Sequence, residues 1–145
     1  MPSTTTSPVL SERARAFLSA TRFATIATVD PDGRPRQAVI WYRLDGDEVV
    51  FNSKVGRRWP DNLERDRRVA FAVHDHEDGY RWIGLTGTVS VVDDQPTAQA
   101  DIAEMARRYH VDQPDKAEAL IRDRFEPQRR VSFRVAIDAI HDQLD

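Results

Sequence analysis

The chain is expected to fold as a mainly β protein, a closed or nearly closed barrel with a few peripheral helices. Three observations lead there. Short strand-like runs follow one another through sharp turns. Helical periodicity is concentrated in one late stretch. A final run with alternating apolar residues then returns as a strand. The βαβ alternation of a dinucleotide-binding domain is missing, as are GxGxxG and Walker loops.

Taken in order, Met1 to Val9 is polar and rich in Thr, Ser and Pro, and reads as a loose tail. A single domain is expected over residues 10–145. Ser11 can N-cap a helix running to about Ser19, with Ala14, Phe17 and Leu18 on one face. Phe23 to Val29 is the first strand, and Asp30-Pro31-Asp32-Gly33 turns it. Gln37 to Leu44 is the second strand. Asp45-Gly46 makes a tight hairpin into the third, Glu48 to Asn52. A helix from Pro60 to about Asp66 precedes the fourth strand, Val69 to His74. Tyr80 to Val92 is a long fifth strand, whose Gly84 and Gly87 allow a bulge or bend. Helical spacing follows in Thr97 to His110 and again in Lys116 to Phe125. Val131 to Ile140 closes the fold as a strand.

Composition narrows the function. Net charge is −3, from 21 basic and 24 acidic residues, so there is no overall bias toward nucleic acid or membrane surfaces. No cysteine is present, which removes disulfides and thiolate chemistry. The N-terminus does not read as a signal peptide, and no run nears the ~20 apolar residues of a membrane span. A cytoplasmic protein is expected.

The stretch richest in chemistry is Ser53 to Val69. A strand ends there in a loop carrying Arg57 and Arg58, just before a helix start. Helix-start N–H groups beside guanidinium forks suit a phosphate; the alternative is a solvated loop. Asn52 and Ser53 can donate to a phosphate or ring edge, or simply cap a turn. Val39, Ile40 and Trp41 form either core or the apolar wall of a flat ring. Arg34 and Arg36 flank Pro35 at a hairpin tip, and either solvate it or attract an anionic tail. Trp59 either packs on the barrel or lines a groove between subunits. Tyr80 and Trp82 share a strand face and suit either stacking near a substrate or, the favoured reading, an interface core. His74 and His76 alternate like a metal pair, but no further ligand has matching spacing, and no metal is expected. Arg65, Arg67 and Arg68 are interleaved with Glu64 and Asp66, which favours ion pairing over nucleic-acid binding. There is no G-x-S-x-G element for nucleophilic catalysis.

The order Asp32-Gly33-Arg34-Pro35, Val39-Ile40-Trp41, Asp45-Gly46, Arg57-Arg58 and Asn62-Leu63-Glu64-Arg65-Asp66 resembles the pyridoxamine-5′-phosphate-oxidase-like split β-barrels. Within them it is most similar to the flavin and deazaflavin oxidoreductases that use coenzyme F420. The likeness covers roughly Leu10 to Ile140. It departs at Trp59, where many relatives carry lysine, and at Arg67, where they carry proline. The resemblance implies a homodimeric split barrel that transfers a hydride from reduced F420 to a small organic acceptor. FMN is the alternative cofactor, and a non-catalytic flavin-, deazaflavin- or haem-binding module is the alternative role. It implies cofactor contacts from Arg57, Arg58, Asn52, Ser53, Val39, Ile40, Trp41, Trp59, Asn62 and Arg36. No side chain is assigned as a catalytic acid.

Overall fold

The structure, a computed structural model, describes residues 9–145. Of the expected tail, Met1 to Pro8 lie outside them, Val9 is exposed, and Leu10 is already packed in the core. In chain order the elements are α1 (Glu12–Ser19), β1 (Ala24–Val29), β2 (Pro35–Ile40), β3 (Arg43–Asp45), β4 (Glu48–Lys54), α2 (Arg58–Arg65), β5 (Arg68–His74), β6 (Trp82–Val92), α3 (Gln95–Tyr109), α4 (Pro114–Leu120), a π-helical turn (Ile121–Phe125) and β7 (Arg130–Gln143).

All neighbouring strands are antiparallel, in the order β2-β1-β5-β6-β7-β4-β3. The sheet is curled. Phe51 of β4 and Phe71 of β5 stand three places apart in it, yet their rings meet edge to face at 5.1 Å across the interior. Strand alternation fills that interior with Ile26, Ile83, Phe133 and Val135, all buried. The two edge strands, β2 and β3, are consecutive in sequence, with only Trp41 and Tyr42 between them. The barrel is therefore split along a seam that the chain itself crosses.

That seam corrects one expectation. Gln37 to Leu44 is not one strand; it breaks at Trp41–Tyr42. Tyr42 turns wholly inward, and its hydroxyl donates to the Leu18 carbonyl of α1 at 2.8 Å. Its backbone N–H donates to the Tyr109 hydroxyl at 3.1 Å rather than to a strand. Tyr80 likewise lies before β6 and is exposed. The helix expected over Lys116 to Phe125 begins at Pro114 and loosens into the π-helical turn. The expected bulge falls at Gly87. Pairing skips Asp138, and a Cβ on Gly87 would stand 2.4 Å from the Ala136 carbonyl oxygen.

α1 is capped as expected, with the Ser11 hydroxyl accepting from the Ala14 N–H. It plugs one end of the barrel through Ala14, Phe17 and Leu18. A second apolar cluster holds α3, α4 and the π-helical turn against Val50 on the outside of β4. Among the described residues no helix is long and apolar enough to cross a membrane.

Candidate functional site

A pocket of about 460 Å³ opens between the β2 edge, the end of β4, the start of α2 and the π-helical turn. Its walls are aromatic and aliphatic. Trp41 stacks on Tyr109 with ring centroids 4.9 Å apart, and Phe125 meets Trp41 edge-on at 6.3 Å. Phe23 and Val39 line it and are exposed. One side is the free edge of β2, where unpaired backbone groups are available to a ligand.

The polar lining is cationic. Arg57, Lys116, Arg124 and Arg130 all face the pocket, and no Asp or Glu does. Among the described residues, none of these four cations has a carboxylate within salt-bridge distance. Arg58, by contrast, stands 3.9 Å from Asp30, and Arg134 bonds Asp45 and Glu48.

Arg130 is the centre of the cluster. It is only 5% exposed. Nε donates to Asn52 Oδ1 at 3.0 Å and Nη1 to Gln128 Oε1 at 2.5 Å, while Nη2 has no protein partner among the described residues. The guanidinium lies 5.0 Å from the Phe125 ring centroid. Burial first, then the charges of Arg57 and Arg124, pull its pKa down to about 10. A buried cation repelled by two others is costly until an anion arrives. The Gln95 amide holds the Arg130 backbone, donating to its carbonyl at 2.8 Å and accepting its N–H at 2.9 Å.

The start of α2 adds backbone donors. Its N-cap, Arg57, offers no side-chain cap. The N–H groups of Arg58 and Trp59 precede any possible intrahelical acceptor, so they too are open to an anion.

The sequence-derived residues divide into two groups. Asn52, Ser53, Arg57, Trp59, Val39, Ile40 and Trp41 line this pocket. Asn52 nonetheless spends both amide hydrogens on protein partners, and its oxygen accepts from Arg130. The Ser53 hydroxyl donates to the Lys54 carbonyl. Trp59 is buried against Phe133, the first of its two expected roles, and it also lines the pocket.

Arg58, Asn62 and Arg36 converge elsewhere, on Asp30. Arg36 clasps that carboxylate with contacts at 2.8 and 3.0 Å, and the Asn62 amide donates to it at 2.9 Å and to Thr28 at 3.0 Å. The Arg36 hydrogen bond, followed by that of Asn62, holds Asp30 at about 2, below the usual carboxylate range. This trio ties α2 to the β1–β2 turn and stands behind the site. The expected pairing of Arg65, Arg67 and Arg68 is also altered. Only Arg68 joins a carboxylate, Asp66 at 2.7 Å, while Arg65 reaches the Val29 carbonyl and Arg67 the Glu64 carbonyl.

Sequence reasoning missed Arg130, Arg124, Lys116 and Phe125. The period-2 pattern of Val131, Phe133 and Val135 held a usable signal, since it puts Arg130 and Ser132 together on the opposite face. Arg124 and Phe125 reach the pocket through the π-helical turn, where the Glu126 N–H bonds the Ile121 carbonyl at 2.9 Å. Such turns frequently mark functional sites.

Comparison with known proteins agrees with this architecture. A profile of the family described as pyridoxamine 5′-phosphate oxidase matches residues 10–143. A solved structure named F420 reductase is 27% identical, covers 91% of this chain and 98% of its own, and superposes with a TM-score of 0.72. A conserved hypothetical protein from Mycobacterium tuberculosis is 24% identical, with 92% and 84% covered and a TM-score of 0.71. HutZ, the haem-storage protein of Vibrio cholerae, is 17% identical over 94% of this chain and 96% of its own, with a TM-score of 0.68, a likeness of fold.

Proposed function

The chain belongs to the pyridoxamine 5′-phosphate oxidase family, with the split-barrel fold expected of it, and on that premise we propose that it is an F420-dependent reductase of a small organic acceptor. The observation that carries this reading is Arg130, a buried guanidinium without a carboxylate, flanked by Arg57 and Arg124 at the foot of an aromatic wall. A flat heterocycle with a phosphate-bearing tail matches both halves of the pocket. When bound, the reduced cofactor supplies the hydride.

The protein's own residues bind, orient and exclude water. Arg57, Arg130 and the first N–H groups of α2 take the phosphate. Trp41 and Phe125 cover the ring, and the free edge of β2 offers backbone groups to its polar rim. Lys116 and Arg124 line an adjoining hollow of about 520 Å³, where the Asp123 carboxylate is paired with Arg122; the two cations extend the charged surface toward a longer acidic tail. The proton that completes reduction comes from solvent.

The chain is further proposed to act as a homodimer in which a second copy covers the outer face of β1, β5 and β6. Thr25, Ala27, Ala70, Ala72 and Gly84 give that face a small-sided floor, a hollow of about 450 Å³ bordered by Trp82, Ile140 and His141.

FMN is the second reading. The commitment of Arg36 to Asp30 favours it, because that rim residue is then spent on structure rather than on a long tail. Titration of the purified protein with F420 and FMN side by side tests both. Quenching of F420 fluorescence at lower concentration than FMN saturation is expected. Tighter FMN binding with yellow protein would reverse the cofactor. Binding without turnover over a panel of acceptors would replace the enzyme with a binding module.

A further inference from the structure

The geometry points to a buried hydrogen-bond relay, Asp101–Ser132–Asn52, that aims the Arg130 guanidinium into the pocket and makes Ser132 and Asp101 positioning residues of the site. This rests on the reading of Arg130 as an anion seat. The links come from three elements. Ser132 Oγ, on β7, donates to Asp101 Oδ2, on α3, at 2.7 Å. Asn52 Nδ2, on β4, donates to Ser132 Oγ at 2.9 Å and to the Ala98 carbonyl at 2.9 Å. Asn52 Oδ1 then accepts from Arg130 Nε at 3.0 Å. Asp101 is anchored from behind by Arg43 Nη2 at 2.7 Å.

Every member is buried: Asp101 is 5% exposed, Ser132 0%, Asn52 7% and Arg130 5%. Donor and acceptor roles run one way along the chain. The Asp101 carboxylate can only accept, so the Ser132 hydroxyl points to it and leaves a lone pair for Asn52. Both Asn52 amide hydrogens are used, so its oxygen must face Arg130. An amide flip would set N–H against N–H. The relay therefore fixes the rotamer of an amide that would otherwise have two, and with it the plane of the guanidinium. Nη2 is left turned away from protein acceptors. Strand register supports the same arrangement, because Asn52 and Ser132 are direct cross-strand partners.

A double-mutant cycle on the full chain tests this, with inorganic pyrophosphate as the probe and calorimetric titration at low salt as the readout. Arg130→Ala and Ser132→Ala are each expected to weaken the probe, the latter by about tenfold, as for loss of one buried hydrogen bond to a charged group. In the Arg130→Ala background, Ser132→Ala should cause no further loss, because the hydroxyl acts only through the guanidinium. Ser132→Thr, which keeps the hydroxyl, should bind within about twofold of the unchanged chain. Additive losses, or a Ser132→Ala variant that binds normally, would overturn the relay while leaving the anion seat standing. Normal binding by Arg130→Ala would remove the seat and the relay together. Should Ser132→Ala lose its native circular dichroism, Asp101→Asn replaces it in the cycle, since an amide there sets a donor against Ser132 or Arg43.

Discussion

Arg57 and Arg58 are adjacent in the chain, yet they serve different surfaces, Arg57 the pocket and Arg58 the Asp30 cluster. Their effects should separate accordingly. Arg57→Ala should weaken cofactor binding by roughly 1.5–3 kcal/mol, as for a charge-assisted hydrogen bond, and Arg58→Ala by much less. Parallel titrations of the two variants check this, and equal losses would return Arg58 to the site. Asp30 predicts a pH effect on the fold. Its folded pKa is depressed to about 2 by Arg36 and Asn62, below the unfolded value of 3.8. The stability it contributes is therefore present above about pH 4 and fades as the pH falls toward about 2. Urea unfolding from pH 5 to pH 2 should show a shallower decline for Asp30→Asn than for the unchanged chain. At this scale Arg57 was legible as a pocket residue because it stands at a helix start, while adjacency alone could not show that Arg58 turns to Asp30. Arg130 was not, since its partner Asn52 is 78 residues away and the chemistry exists only after β4 and β7 pair.

Among the elements, α2 carries the most consequence for the site. Its start lines the pocket through Arg57 and Trp59, while its body is fastened to the β1–β2 turn through Asn62. Removing that amide leaves Thr28 and Asp30 short of a donor inside the protein. Asn62→Ala should cost about 1–3 kcal/mol of stability, read from denaturant midpoints, and should weaken the cofactor as the helix start drifts. β6 gives a sharper case. Gly87→Ala drives a methyl into the Ala136 carbonyl and should destabilise the fold by about 1–3 kcal/mol. Most elements could be read from turn residues and period, because Asp-Gly turns and N-caps are local physics. The split between β2 and β3 could not. Trp41 and Tyr42 continue the strand pattern, and only burial of Tyr42 beneath α1 breaks it.

At the scale of the whole molecule, the small-sided outer face of the sheet is the feature that a monomer explains least. A glutamate in its middle should be tolerated by the fold and not by a second copy. Ala72→Glu is expected to give a monomer by sedimentation, with the unchanged chain a dimer; two sedimenting monomers would dismiss the assembly. Barrel class was legible from the sequence, because hairpins and one returning strand leave few other topologies. The proposed face-to-face association rests on surface shape, which the linear pattern encodes only as alanines and glycines. One phenol has a further effect at this scale. The β1–β2 ladder ends at Ala24 and Ile40, and beyond it the Tyr109 hydroxyl accepts from the Tyr42 N–H and donates to the Arg22 carbonyl. It works as a staple where that hairpin would otherwise fray. Tyr109→Phe would strand two main-chain groups and loosen the edge strand β2, leaving it free to recruit strands from neighbouring molecules. Heating should then produce turbidity well before the unstapled protein loses its secondary structure.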